Sequence, residues 1–380
     1  MQVLGTIGLA QPVVLDERAA WPRSEPGTVV YVVASPRARR RAREEARRLG
    51  FHPAGSFLHL PDVERSTAIA ALEGGAAAFL LDGMLERGGL KRRLVHGLLR
   101  APGGPAAAER LLPNVGLAFT EDGARAGAWL GEGSPLVTGS WRADAPVVVL
   151  LVRGGAVERV VKVHEEVAAL DPEAAALREL APVAAEAGAG VPELVSYDGR
   201  VLVQSGVRGR PARLVLRAHP EALGATLSGL AGWLDRWGRA TRGESGAGVR
   251  VAAHNDVTMA NVLLGGPRPV GVVDWGGAVP AGLPLADFAY AAADAVSARD
   301  GHADRVAAFR RAFVEDTPEA RLVLPHLRAL AAGLALERTA AEDAFRACWE
   351  QHAANEAVRG DEGDAFRRIA GLARQTEVFA

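Results

Sequence analysis

Apolar residues recur along the chain with two periods, and the changes from one to the other outline three regions. In the first, Met1 to about Asn114, the clearest signal is Thr28-Val-Val-Tyr-Val-Val-Ala34, bounded by Pro26-Gly27 and Ser35-Pro36. A short β-branched run between turn residues predicts a buried strand. An arginine-rich segment from Arg37 to Leu49 follows and stops at Gly50, which predicts a helix ended by glycine. After Phe57-Leu-His-Leu60 the pattern predicts a long helical stretch, about Ser66 to Arg100, interrupted by paired glycines. It closes at Ala101-Pro-Gly-Gly-Pro105, a turn-rich break.

The second region, about Val115 to Val207, is strand-rich. Ala145 to Val152 and Val157 to Val163 flank Arg153-Gly-Gly-Ala156, the pattern of a hairpin. A helix is predicted from Asp171-Pro172-Glu173. Aspartate caps the free N–H groups, proline suits the first helical position, and glutamate favours the positive helix end. It carries Leu177 and Leu180 and runs to about Gly188, before short strands around Glu193 to Ser196 and Arg200 to Gln204. The third region, Arg208 to Ala380, is mostly helical. Inside it lie two β runs, Asn261 to Leu264 and Val270 to Val273, separated by Gly265-Gly-Pro267.

Composition narrows the classes. With 44 basic and 45 acidic residues the net charge is −1, so no global positive field exists to attract nucleic acid, and no nucleic-acid partner is expected. A lone cysteine, Cys348, excludes an internal disulfide framework and a cysteine-rich zinc site. No apolar run reaches the ~20 residues of a membrane helix. The N-terminus lacks a leader pattern, so a cytoplasmic protein without a membrane partner is expected. Arg37 to Arg48 carries seven arginines with two glutamates and reads as a solvated helix face. No Gly-x-Gly-x-x-Gly follows the first strand, which excludes a dinucleotide-binding reading. Of the 44 basic residues only Lys91 and Lys162 are lysine. Such a skew is the mark of a GC-rich genome. A lysine retained in it points to a place where a compact ammonium serves and a planar guanidinium does not.

The informative segment is His254-Asn-Asp-Val-Thr-Met-Ala-Asn261-Val-Leu-Leu264, then Val270-Gly-Val-Val-Asp-Trp275. His254, Asp256 and Asn261 precede a strand, and a second strand returns after a tight turn to deliver Asp274. The hairpin brings Asp256, Asn261 and Asp274 to one mouth. One carboxylate and one amide oxygen suit Mg²⁺, which keeps waters and bridges phosphates. A separate carboxylate can orient an attacking hydroxyl and accept its proton. These are the parts of a phosphoryl-transfer site, in which positioning and charge neutralisation do most of the work.

This ordered set resembles the catalytic loop and metal segment of the protein-kinase-like fold. With Asp-Trp in place of Asp-Phe-Gly, it is similar to the aminoglycoside phosphotransferase / choline kinase family. Gly282-Leu-Pro-Leu-Ala-Asp287-Phe-Ala-Tyr290 resembles that family's downstream segment. The resemblance implies an α+β, two-lobed protein-kinase-like fold behind an α/β N-terminal extension. The boundaries would be 1–114 for the extension, 115–207 for the β-rich lobe and 208–380 for the helical lobe. It also implies roles. Asp256 is the catalytic base, Asn261 and Asp274 hold Mg²⁺, and His254 and Asp287 brace the loop. Lys162 contacts the ATP phosphates, with Glu173 as its acidic partner and Glu179 as the second choice. Gly139 and Ser140 lie in the phosphate-covering loop, and Gln204 to Val207 form the hinge that meets the adenine. Two departures stand out. Thr258 and Met259 occupy positions where His-Pro is common, and the phosphate loop has a single glycine. The implied activity is ATP-dependent phosphorylation of a small-molecule hydroxyl, with a nucleotide-binding pseudokinase or scaffold as the second reading. Trp233, Leu234 and Trp237, just upstream, are expected to be core.

Overall fold

The computed structural model describes residues 13–15, 21, 29–60, 68–84, 90–121, 133–138, 145–245, 248–357 and 361–380. The chain divides into two compact units, one built on a sheet and one mainly helical. The expected α+β class holds. The first unit comprises residues 1–170 and 195–206, and the second comprises 171–194 and 207–380.

The first unit is built on one ten-stranded sheet. Its strands are β1 (Val13–Leu15), β2 (Val29–Val33), β3 (His52–Leu60), β4 (Ala68–Ala71), β5 (Val115–Thr120), β6 (Ser134–Thr138), β7 (Val147–Arg153), β8 (Ala156–Val163), β9 (Leu194–Tyr197) and β10 (Val201–Ser205). They lie in the order β1-β2-β5-β3-β4-β6-β7-β8-β10-β9. The extension and the β-rich lobe read from sequence therefore share one sheet. β5, at the start of the second sequence region, sits between β2 and β3 of the first. Side chains alternate across the pleat. Tyr31, Phe57, Ile69, Ala118, Val137 and Val149 fill one face. On the other face, Val30, Val32, Leu117 and Phe119 pack under helix α1 (Pro36–Arg48).

The expected helix from Ser66 to Arg100 is corrected at its start: Ala68–Ala71 is strand β4, fully buried between β3 and β6. A continuous run of small apolar residues carries no period that separates strand from helix, and two-sided burial decides the outcome. Helix α2 (Ala76–Phe79) and helix α3 (Leu90–Arg100) follow. Next comes helix α4 (Gly104–Leu111). The β7–β8 hairpin forms as expected, with Gly154 and Gly155 both at positive φ in its two-residue turn. Gly206 follows β10, where its N–H donates to Glu158 O at 2.8 Å. A Cβ there would overlap the Val157 carbonyl.

In the second unit the helix predicted from Asp171 to Gly188 is two helices, α5 (Asp171–Glu179) and α6 (Ala181–Glu186). Pro182, in the first turn of α6, cannot donate the bond a continuous helix needs there. The remaining helices are α7 (Ala212–Ala218), α8 (Leu223–Thr241), α9 (Ala286–Arg299), α10 (Arg305–Phe309), α11 (Pro318–Gly333), α12 (Arg338–Asn355) and α13 (Asp361–Gln375). α9 is the buried centre of this unit, with every residue from Ala286 to Ala298 buried. Two small sheets accompany it. One is β11-β14-β15 (Arg210–Pro211, Val262–Gly265, Arg268–Val272) and the other β12-β13-β16 (Gly243–Ser245, Gly248–Ala253, Val279–Gly282). β14 and β15 are the hairpin expected from the sequence. Trp233, Leu234 and Trp237 on α8 are core, as expected. Among the described residues no helix is long and apolar enough to cross a membrane.

The close approach at Gly206 leads to a prediction. Gly206→Ala pushes β10 from β8 and destabilises the first unit by ~1–3 kcal/mol. A shift of the denaturant midpoint at unchanged slope measures it.

Candidate active site

The loop between β13 and β14 is held by hydrogen bonds to helix α9. Asp287 and Asp294 are seven residues apart, about two helical turns, so both carboxylates lie on one face of α9. Asp287 Oδ2 accepts the His254 N–H at 2.7 Å, and Oδ1 accepts the Asn255 N–H at 2.8 Å. Asp294 Oδ2 accepts the Met259 N–H at 2.7 Å. One carboxylate thus secures the start of the loop and the other its far end. Asn255 has φ 63°, in the left-handed region, and its side chain donates to Gly277 O at 2.9 Å. The His254 ring is fully buried, edge-on to Trp275 at 4.9 Å. Trp275 meets Trp237 edge-on at 5.7 Å, and Trp237 stacks on Trp233 at 5.2 Å. An aromatic column therefore runs from α8 to the loop.

Between its anchors the loop turns tightly. Thr258 N–H donates to Asp256 O at 2.8 Å, and Thr258 O accepts from Asn261 N–H at 3.0 Å and Val262 N–H at 2.9 Å. Asn261 Nδ2 donates to Asp256 O at 3.0 Å and to Asp256 Oδ2 at 2.8 Å. This fixes the amide, turning Oδ1 away from Asp256 as a hard oxygen for a cation. Asp274 follows β15 with φ 68° and ψ 70°, a left-handed conformation that an L-residue adopts only when its surroundings impose it. Val273 N–H, next to it, donates to Asn261 O at 3.0 Å and locks the two segments together.

The electrostatics follow from burial and crowding. Burial, the charge of Asp274 and smaller contributions from Asp294 and Glu356 push Asp256 up to about 7, against the Asn261 bond. Burial pushes Asp287 up to about 6, opposed by its two N–H donors. Burial alone would also raise Asp294. The His302 ring, at 3.0 Å, together with the Met259 N–H and the Arg305 guanidinium at 2.9 Å, instead holds it below the usual carboxylate range.

A cation suits this crowd. Among the described residues no group of three or more His, Cys, Asp or Glu could hold a metal. A metal here would rest on Asn261 Oδ1 and Asp274, with water and phosphate oxygens completing its shell, as Mg²⁺ prefers. Asp256 bonds Asn261 through Oδ2, and its other oxygen could accept a proton.

Five of the site residues expected from sequence thus fall in one neighbourhood of the second unit: His254, Asp256, Asn261, Asp274 and Asp287. Glu173 is in the same unit, buried on α5, whose neighbour is the Trp275–Gly277 turn. A Cβ on Gly276 would lie 3.8 Å from Glu173 Oε2. Val207 packs against Gly190 and Gly271 there. Lys162 and Gln204 are in the first unit. Lys162 is 6% exposed on interior strand β8, opposite Val148 and Leu202, so it is no edge-strand lysine facing water. The register puts Gln204, also buried, on the same sheet face. Gly139 and Ser140 lie outside the described residues. Sequence reasoning missed Asp294. The available signal was a second carboxylate seven residues after Asp287 on an otherwise apolar, alanine-rich helix.

Residues 230–323 match the model of the phosphotransferase enzyme family, and the chain is similar to that family over the segment that carries the loop. No curated protein matches the sequence. Among solved structures, a thermostable mutant of aminoglycoside phosphotransferase APH(4)-Ia is 16% identical, covering 65% of this chain and 98% of its own, with a TM-score of 0.41. Aminoglycoside phosphotransferase APH(3'')-Id from Streptomyces rimosus is 17% identical, covering 53% and 87%, with a TM-score of 0.36. Macrolide 2'-phosphotransferase MphH from Brachybacterium faecium is 15% identical, covering 60% and 88%, with a TM-score of 0.31.

Two predictions follow from the anchored loop. Asp287→Asn leaves one oxygen to accept two N–H bonds and destabilises the second unit by ~1–3 kcal/mol, read as a lowered denaturant midpoint. Asp256→Asn has the opposite effect. A carboxyl whose folded pKa is raised favours folding at low pH and loses that contribution as pH rises through the folded value. The variant therefore melts higher than the parent above pH 7, and the gap closes as pH falls towards the unfolded value near 4. Thermal melts across this range measure it, at roughly 2–4 °C per kcal/mol.

Proposed function

We propose that the protein is an ATP-dependent phosphotransferase acting on a hydroxyl of a small molecule. The observation that carries this is the bonding of Asp256 to Asn261 beside Asp274 on a loop anchored at both ends. Asp256 orients the acceptor hydroxyl and receives its proton. The raised carboxyl suits this, because a base that titrates near neutrality is poised to take a proton. Asn261 and Asp274 hold Mg²⁺, which neutralises charge on the transferred phosphoryl group when bound. Lys162, buried on β8, is assigned to the nucleotide phosphates as a compact ammonium. Gln204, buried on the same sheet face as Lys162, is assigned to the nucleotide base.

The carboxylates that raise Asp256 are not all open to an acceptor: Asp274 is assigned to the metal, and Asp294 is paired with His302 and Arg305. Asp256 feels Asp274, Asp294 and Glu356 together. Glu356 is the remaining carboxylate of the three. By contrast, the other C-terminal acids have structural uses or face solvent. Glu342 Oε1 accepts the Phe379 N–H at 2.8 Å, Glu350 pairs with Arg374 on the surface, and Asp343 is exposed.

Asp256→Ala is expected to abolish turnover, measured by ATP consumption against a panel of amino sugars, aminoglycosides, amino alcohols and sugars. Nucleotide binding, measured by calorimetry, persists. Normal turnover by this variant would sink the reading. Lys162→Arg keeps the charge but not its compact shape, and is expected to lower kcat/KM by ~10²-fold or more.

A further inference from the structure

The first unit holds a cavity of about 830 Å³ between α1 and α4, floored by Ser56 of β3 and Leu72. It is lined by six arginines and three glutamates. The arginines divide by what they already do. Arg39 is 2% exposed and spends its donors on backbone carbonyls. Nε reaches Ala34 O at 3.0 Å, one terminal nitrogen reaches Pro113 O at 2.9 Å, and the other reaches Glu109 O. It is the strut that ties α1 to the end of α4. Arg43 forks onto Glu109 at 3.0 and 2.6 Å, and Arg40 pairs with Glu44 at 3.0 Å. Three remain: Arg37, Arg47 and Arg110, all exposed. None of these three has a hydrogen-bond or ion-pair partner among the described residues. Arg37 lies in the first turn of α1, which carries no acid, whereas Arg47 and Arg110 are in the last turns of α1 and α4.

We propose that this cleft binds a small polyanion carrying more than one phosphate group. The size falls in the range of small-molecule sites, ~300–1,000 Å³. Guanidinium groups fork onto phosphate oxygens in pairs, which an ammonium cannot do. Arg37 and Arg47 are ten residues apart on one helix, about 15 Å along its axis. A single phosphate reaches one end only, whereas a chain of phosphates, or a metabolite phosphorylated at both ends, reaches both. Arg43 and Glu109 form a preset wall between them. The recess favours a small ligand over duplex nucleic acid, which docks on protruding helices. The site belongs wholly to the first unit and shares no residue with the phosphoryl-transfer site.

The test is calorimetric titration of the full chain with sodium tripolyphosphate at fixed ionic strength. One site is expected. The triple variant Arg37→Ala/Arg47→Ala/Arg110→Ala is expected to weaken it by about tenfold or more, since each lost guanidinium removes charge-assisted bonds. Arg110→Ala alone weakens it less. Arg41→Ala, which removes an exposed arginine of α1 outside the cleft, leaves it unchanged. The substituted side chains are exposed, so circular dichroism melts should match the parent. No heat at millimolar tripolyphosphate would overturn the proposal. So would undiminished binding by the triple variant, because the ligand then sits elsewhere. Equal weakening by Arg41→Ala would reduce the effect to diffuse charge. Tighter, arginine-dependent binding of a DNA duplex would replace the small ligand with nucleic acid.

Discussion

The site depends on two carboxylates on one face of a buried helix. Asp287 and Asp294 take three consecutive anchor points of the loop backbone, His254, Asn255 and Met259. Loop N–H groups withdrawn from water must be paired, and here a charged acceptor meets each. Because α9 is packed on all sides, the spacing between the anchors is the spacing of two helical turns. The loop inherits that rigidity, and the tight turn around the Thr258 carbonyl can then set Asp256 and Asn261 at 2.8 Å. Asp294 could not remain ionised at this depth unaided. His302 and Arg305 keep it so, which makes the segment after α9 part of the loop's support.

Much of this was legible. Lys162 stood out as one of two lysines among 44 basic residues, and the fold buries it on interior strand β8. The order His254, Asp256, Asn261, Asp274 is itself a chemical statement, since a hairpin must bring its two mouths together. The hairpin with Gly154 and Gly155 was fixed by local turn chemistry. Illegible features were those set by distant contacts. Ala68–Ala71 became a strand because β3 and β6 enclose it, and nothing within four small residues announces that. Asp294 looks like any helical acid until α9 is seen to be buried. Arginines 37 to 48 read as one solvated face. The fold divides them into a buried strut, surface pairs and three exposed cations, a distinction made by α4, roughly seventy residues downstream.

Met259, which stands where the resembled motif often has proline, has a physical account of its own. Proline at this position would have no N–H, so it could not bond to Asp294. With methionine, the N–H is present, the side chain is fully buried, and the carbonyl accepts from Arg213 N–H at 2.8 Å. The residue is therefore held by its donor, its acceptor and its packing. A loop lacking the stiffness of a proline ring is restrained here by bonds to α9 and to the start of α7.

Stability and chemistry pull in opposite directions at the mouth of this loop. Asp274 sits in a left-handed conformation, and Asp256 lies within the field of three other carboxylates. Neither arrangement helps the chain fold. Strained backbone and like charges persist only where the surrounding structure overrides them, and such places cluster at functional sites. Here the override is visible: the aromatic column from Trp233 to His254, the two carboxylate anchors, and the Asn261 amide that keeps one oxygen of Asp256 bonded.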